Sequence, residues 1–306
     1  MEAQRLKQRT AWLSVFSNIL LVVLKLVVGI YVGAISLISE ALHSSIDLLA
    51  ALIAFWAVRN SDLPPDGEHD YGHGKFENIS SAIEAFLIVA AALGIVREAI
   101  IRWNDDMAPQ LLEYGIVIML ISIVINYWVS GRLMAVAKET GSQALAADGL
   151  HLRADIWTSV GVLVGLALIK LTGYYWLDPV IAIGVAAIIF HAGWGMVVES
   201  AKELTDTSLS DEDEERLGKI FSAHKEVLGF HCLRTRKSGS YKLLDVHILF
   251  DGDMPLYRVH DICDELEKKV HDEFGAFDVL IHAEPFEAPH ETKEQHFIYS
   301  RGGGKR

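Results

Sequence analysis

Cysteine is scarce in this sequence, with only Cys232 and Cys263 among 306 residues. Two cysteines cannot make the disulfide framework of a small secreted domain. Positive charge is also in the minority, because 27 Lys and Arg stand against 40 Asp and Glu, for a formal net charge of −13. We therefore expect no basic surface for nucleic acid. An acidic surface instead raises the local concentration of cations.

Long apolar runs are what the sequence has in abundance. Apolar residues make up 51% of the chain, and they concentrate between residues 11 and 200. A membrane-spanning helix needs about 20 mostly apolar residues. Six segments meet this length and predict an α-helical membrane domain of six transmembrane helices: 11–32, 36–58, 79–101, 111–131, 144–171 and 177–199. A cleaved signal peptide is the alternative for the first segment, but five further spans follow it.

The distribution of Lys and Arg predicts the orientation of these spans. Basic residues gather before the first span, in the 59–78 and 132–142 loops, and after the last span. By the positive-inside rule, both termini are then cytoplasmic. The predicted organisation is a cytoplasmic tail at 1–10, a membrane domain at 11–205, a cytoplasmic domain at 206–287 and a flexible tail at 288–306.

The segment after residue 205 reads as a soluble α+β domain. Ser210 is a candidate N-cap for a helix over 211–224, and Pro255 precedes a helix over 256–274. Strands are predicted at 227–236, 242–250 and 277–282, the first two joined by a Ser-Gly-Ser turn. This α-β-β-α-β order favours an open sheet with its helices on one face.

Two His-x-x-x-Asp pairs lie inside predicted spans, His43 with Asp47 and His151 with Asp155. A spacing of four puts both side chains of a pair on one helix face. Ionisable groups at that depth are costly unless they are paired. Two imidazoles and two carboxylates around one cation suit Zn²⁺, whereas Mg²⁺ and Ca²⁺ prefer oxygen. The alternative is a private His–Asp hydrogen bond within each helix.

Two further groups of candidate ligands lie outside the spans. The loop after the second span contains Asp66, His69 and His73 among glycines, which could close on a metal or form a solvated polar loop. The soluble domain supplies candidates from both strands, the second helix and the last strand, which could instead be ordinary surface residues: His231, His247, His260, His282 and Glu284. Cys232 follows His231 directly, so on a regular strand it points to the opposite face, into the core.

Three motifs resemble the cation diffusion facilitator family, and within it the bacterial, zinc-exporting YiiP-like branch. The resemblance runs from about residue 10 to residue 287. Its motifs are Leu42-His43-Ser44-Ser45-Ile46-Asp47, Tyr71-Gly72-His73-Gly74-Lys75-Phe76-Glu77 and His151-Leu152-Arg153-Ala154-Asp155. The chain departs from that branch at two positions, because His43 and Glu284 stand where the branch usually has Asp.

The resemblance implies a homodimer with a metallochaperone-like cytoplasmic domain and alternating access coupled to protons. It implies a transport site at His43, Asp47, His151 and Asp155, and a loop site at Asp66, His69 and His73. It implies a binuclear cytoplasmic site at His231, His247, His260, His282 and Glu284. It also implies a salt bridge between Lys75 and Asp206 that holds the dimer together.

The sequence therefore predicts a proton-coupled Zn²⁺ exporter in the lipid bilayer of a bacterial inner membrane, and not an enzyme. An intramembrane metalloenzyme is the first alternative, but four ligands leave no open position and no Glu lies beside them as a base. A metal sensor or scaffold is the second. Within transport, cadmium, cobalt, iron and manganese stay open as alternative cargo.

Overall fold

The computed structural model describes residues 2–32, 35–102, 113–174, 176–275, 277–286 and 299–300 of the chain. Its backbone divides into two compact units, one spanning Met1–Leu204 and the other Thr205–Arg306. The first unit is helical and the second contains a β-sheet.

Each of the six predicted spans falls on a long helix of the first unit. The helices are α1 (Glu2–Val32), α2 (Ile35–Ser61), α3 (Lys75–Arg102), α4 (Glu113–Thr140), α5 (Gln143–Thr172) and α6 (Leu177–Leu204). Several of them are longer than their apolar segments. Residues 2–10, predicted as a tail, continue α1. Within them, Lys7 Nζ lies 2.8 Å from Asp62 Oδ1 and 3.1 Å from Glu77 Oε1.

The outward surface of this unit is strongly apolar. Trp12, Phe16, Phe86 and Val124 are all more than half exposed. Such a surface suits contact with lipid rather than with water. Among the described residues, α1, α3, α4 and α6 are long and apolar enough to cross a membrane. The other two long helices, α2 and α5, carry the His-x-x-x-Asp pairs.

Alanine dominates the contacts between these helices. One core cluster joins Ala57, Ala137 and Ala144 with Leu133 and Leu145, where α2, α4 and α5 meet. Small side chains let helix backbones approach closely, which is how helices associate where water is absent. The packing leaves room for polar residues between helices rather than against lipid.

The second unit has the predicted α-β-β-α-β order. Its elements are α7 (Asp211–Ser222), β1 (Gly229–Ser238), β2 (Tyr241–Phe250), α8 (Leu256–Phe274) and β3 (Phe277–Pro285). The predicted N-cap is confirmed, because the Ser210 side chain accepts a hydrogen bond from the backbone N–H of Asp213 at 3.2 Å. A two-residue strand, β4 (Tyr299–Ser300), pairs with Gly229 and Phe230; the rest of the predicted tail lies outside the described residues.

The sheet has the order β3-β2-β1-β4, with β2 antiparallel to β1 and parallel to β3. Alternate residues of β2, from Leu244 to Phe250, point into one core together with Leu217 of α7 and Leu266 of α8. The helices thus cover one face of the sheet. The residues between them in sequence, His247 included, lie on the other face.

Candidate metal centres

One cluster of metal-ligating side chains lies between α2 and α5. We call Asp47, His151 and Asp155 the membrane cluster, because each offers a ligand atom within 4.8 Å of the others. The Asp47 Oδ1 and His151 Nε2 atoms are 3.2 Å apart, and both residues are buried. His43 belongs to α2, but its side chain lies outside the described residues. Two carboxylates and an imidazole are donors for a borderline divalent cation.

The membrane cluster opens into a cavity of about 370 Å³ inside the helical unit. Several polar side chains line the cavity beside the membrane cluster, among them Asn18, Lys25 and Asn126. Each of these residues is less than 10% exposed, so they face other helices rather than the outer surface of the bundle. Lys25 Nζ donates a hydrogen bond to Ser44 Oγ at 2.7 Å, which gives the ammonium a polar partner inside the bundle.

Two buried acids near the membrane cluster were missed by the sequence analysis. Glu84 of α3 is fully buried and Asp148 of α5 is 2% exposed, and Glu84 lies within electrostatic reach of both Asp148 and His151. The signal was present in the sequence, because an acid inside an apolar helix is itself a functional candidate. Asp148 also precedes His151 by one helical turn and so shares its helix face.

A second group, the loop cluster, consists of Asp66, His69 and His73. Asp66 Oδ1 lies 3.3 Å from His69 Nδ1, and Asp66 Oδ2 lies 3.3 Å from His73 Nε2. The Asp66 carboxylate also accepts hydrogen bonds from the backbone N–H groups of Glu68 and His69 at 2.9 and 2.8 Å. These backbone donors lower the pKa of Asp66 and keep it ionised at neutral pH. The three side chains can therefore close on one cation.

Strand register assembles the third group, the sheet cluster of His231, His247, His282 and Glu284. His231 is directly opposite His247 across the β1–β2 pair, and His247 is directly opposite His282 across the β2–β3 pair. The three imidazoles form a row across the sheet, with ring centroids 5.0 and 4.7 Å apart. The row lies on the face that the helices leave uncovered.

Glu284, two residues after His282 on β3, contacts all three histidines of the row. Its carboxylate oxygens lie 3.0 Å from His231 Nε2, 2.8 Å from His247 Nδ1 and 3.4 Å from His282 Nε2. Partial burial alone would raise the pKa of Glu284, but the hydrogen bonds with His231 and His247 outweigh it and lower the pKa. The longer Glu side chain at this position thus reaches all three histidines.

His260, the remaining predicted ligand of this domain, lies away from the row of histidines within one chain. It lies on α8, its side chain is 74% exposed, and it faces Asp264 at 3.7 Å. Val259, Ile262 and Leu266 bury the inner side of α8 against the sheet. The sheet therefore separates His260 from the uncovered face.

Cys232 was predicted to point into the core, and that prediction is wrong. Its Sγ atom lies 3.2 Å from His231 Nδ1, and its thiol belongs with His231 and His247 to a group of potential ligands. The register of β1 shifts between His231 and Arg234, so the alternation of a regular strand does not hold there. Partial burial raises the pKa of the Cys232 thiol.

The predicted salt bridge between Lys75 and Asp206, which would hold the dimer together, stays a prediction. Lys75 is the first residue of α3. Within the second unit, Asp206 Oδ2 lies 3.3 Å from Arg236 Nη1.

Comparisons with known proteins cover nearly all of the chain. Residues 11–205 match the cation efflux transmembrane domain, and residues 209–286 match the cytoplasmic domain of cation efflux proteins. The chain is 36% identical over 286 residues to the uncharacterized transporter sll1263 of Synechocystis sp., spanning 93% of this chain and 92% of that protein. It is 30% identical over 278 residues to the cation-efflux pump FieF of Pectobacterium atrosepticum, spanning 90% of this chain and 91% of that one. The FieF protein of Klebsiella pneumoniae is 30% identical over 281 residues, with 92% and 93% spanned.

Proposed function

The chain belongs to the cation efflux, or cation diffusion facilitator, family of membrane transporters, and we propose that it exports Zn²⁺ in exchange for protons. Membership of a transporter family excludes the intramembrane metalloenzyme. The metal, the counter-ion, the dimer and the topology are the parts that we propose.

The membrane cluster is the observation that carries the proposal. Asp47 and His151 come from different helices and meet at 3.2 Å beside Asp155, at a cavity with several polar lining residues inside an apolar bundle. Such a group is costly in a membrane unless a cation or proton uses it. Its nitrogen and oxygen donors suit Zn²⁺ better than Mg²⁺ or Ca²⁺, and His43 on the same helix as Asp47 would supply a fourth donor.

The use of histidine as a ligand supports the proposed proton coupling. An imidazole binds a metal only in its neutral form, and it ordinarily titrates near pH 6.5. Metal and proton therefore compete for His151, and by the same argument for His43. If the empty site takes up protons on one side and releases them on the other, an inward proton gradient drives the metal outward. Alternating access of the cavity to the two sides would complete the cycle.

We place all six long helices across the bacterial inner membrane, with both termini in the cytoplasm. The distribution of Lys and Arg supports this orientation. Helices α2 and α5 carry the membrane cluster. Their ionisable residues would face the cavity while their other faces meet neighbouring helices or lipid.

We further propose that the protein is a homodimer whose second units sense cytoplasmic zinc. The second unit matches a domain of cation efflux proteins, and its sheet cluster holds three imidazoles and a carboxylate within contact distance. Acidic domains side by side about a two-fold axis repel each other, and bound Zn²⁺ would offset that repulsion. A salt bridge between Lys75 and Asp206 would then hold the two subunits together and act as the pivot of the dimer.

Zinc flux into proteoliposomes with a set pH gradient tests the transport proposal. Asp47→Asn and Asp155→Asn should each abolish flux, because the site loses a charged ligand in a low-dielectric setting. Glu139→Gln is the matched control, since Glu139 is exposed at the end of α4. Normal flux in either well-inserted ligand variant would contradict the site, and flux indifferent to the pH gradient would contradict proton exchange.

The same vesicles separate a transporter from a pure sensor and distinguish the metals. A sensor or scaffold would bind zinc without moving it. A panel of Zn²⁺, Cd²⁺, Co²⁺, Fe²⁺ and Mn²⁺ should give the highest flux with Zn²⁺, because imidazole and carboxylate bind it better than Mn²⁺ or Fe²⁺.

A further inference from the structure

Strand β1 contains a bulge at Cys232. Two residues of β1, Cys232 and Leu233, lie between the pairs His231–His247 and Arg234–Asp245, where β2 has one residue. Cys232 takes up the extra residue with a φ of 51°. A left-handed backbone at a residue other than glycine is strained and persists where the surroundings impose it.

The bulge puts Cys232 on the same face of the sheet as the histidine row. Phe230 and Leu233, three residues apart, both pack into the core. On a regular strand these two would point to opposite faces. The inserted residue therefore leaves two successive side chains, His231 and Cys232, on the uncovered face.

The thiol lies where a metal bound by the row would reach it. His231, Cys232 and His247 each offer a ligand atom within 4.8 Å of the others, and His247, His282 and Glu284 do the same. The two groups share His247. Cys232 is half-buried, so its sulfur is held in place beside the imidazoles rather than free in solvent.

We propose that Cys232 is a metal ligand, and that with His231 and His247 it forms a thiolate–imidazole position beside the carboxylate–imidazole position of His247, His282 and Glu284. Thiolate is a soft ligand that Zn²⁺, Cd²⁺ and Co²⁺ accept, whereas Mg²⁺ and Ca²⁺ do not use it. The thiol proton leaves to solvent as the metal–sulfur bond forms. The position is selective for thiophilic divalent cations. This inference rests on the sheet cluster as a metal site and not on transport.

Cobalt binding to the full-length protein tests the proposal directly. Thiolate ligands give Co²⁺ an intense near-ultraviolet charge-transfer absorption that imidazole and carboxylate ligands do not give. The membrane cluster and the loop cluster contain no cysteine, so a metal bound at either of them cannot contribute this band. Wild-type protein titrated with Co²⁺ should show the band, and added Zn²⁺ should displace it. Cys232→Ser should lose it.

Cys263→Ser is the matched control and should keep the band. Cys263 lies on α8 and packs against the core, on the other side of the sheet from the row. A band that survives in Cys232→Ser, or that disappears only in Cys263→Ser, would overturn the proposal. So would the absence of any band in the wild type, and that result would leave the proteoliposome test of transport standing.

A second measurement needs no substitution at Cys232. Iodoacetamide alkylation of the native protein, read by mass spectrometry, should slow at Cys232 when zinc is added. In His247→Ala the protection should vanish. Loss of a residue that only hydrogen-bonds to a metal ligand weakens metal binding roughly 10–100-fold, and loss of a direct ligand should weaken it at least as much. Equal alkylation rates of Cys232 with and without zinc in the wild type would overturn the proposal.

Discussion

Glu77 is a fully buried carboxylate at the start of α3. Its oxygens accept hydrogen bonds from Lys7 Nζ at 3.1 Å, Ser61 Oγ at 2.8 Å and Ser142 Oγ at 2.5 Å. These donors belong to α1, to the end of α2 and to the residue just before α5. The Glu77 side chain thus connects four helices, near the start of α1, α3 and α5 and at the end of α2.

Replacement of Glu77 by alanine should destabilise the helical unit strongly. It removes a carboxylate partner from the buried Lys7 ammonium and a charged acceptor from two buried hydroxyls. Breaking a buried ion pair costs about 3–5 kcal/mol. The thermal midpoint of the detergent-solubilised protein should fall clearly for Glu77→Ala and stay near the wild type for Glu139→Ala, at an exposed position of α4. Equal midpoints would show that the network contributes no stability.

At the scale of the element, the loop between α2 and α3 depends on one glycine. Gly72 has a φ of +75°, and its backbone N–H donates to the His69 carbonyl at 2.9 Å. This turn brings His73 back to Asp66. Gly67 in the same loop has no such backbone constraint, and a Cβ added there would meet open space.

Gly72→Ala should loosen the loop cluster, whereas Gly67→Ala should not. An alanine in the left-handed region costs about 1–2 kcal/mol, so the turn would open more often. Hydrogen exchange of the Glu68 and His69 amides, which donate to Asp66, should become faster in the first variant and stay unchanged in the second. Equal protection in both variants would contradict the role of Gly72.

At the scale of the whole molecule, the second unit has a core of its own. Its buried cluster draws on α7, α8 and the three long strands. A segment of this size can fold independently. We therefore expect the fragment 205–306 to unfold cooperatively in urea without the helical unit.

Leucine substitutions in α8 test whether that core holds the fragment. Leu266 has no exposed surface, and Leu256 on the same helix is 81% exposed. In urea unfolding of the fragment, Leu266→Ala should cost about 2–5 kcal/mol. Leu256→Ala should change stability by less than about 0.5 kcal/mol. Similar values for the two variants, or unfolding without cooperativity, would contradict an independent core.

The sequence predicted most of the fold because its signals are local. Apolar length located the six helices, and alternation with turn residues located the strands of the second unit. Where boundaries differ, as at the start of α1 and the end of α4, the helix continues through polar residues that a search for apolar length passes over. Residue type and spacing along the chain indicated the three groups of candidate ligands, and the family resemblance then implied the same sites.

The features that depend only on neighbours along the chain could be predicted from the sequence. They are the six apolar helices, the His-x-x-x-Asp pairs on single helix faces, and the order of elements in the second unit. Tertiary structure decided the features that depend on distant segments. Strand register aligned His231, His247 and His282, and the sheet separated His260 from them. A bulge moved Cys232 out of the core, because alternation holds only where two strands pair residue for residue.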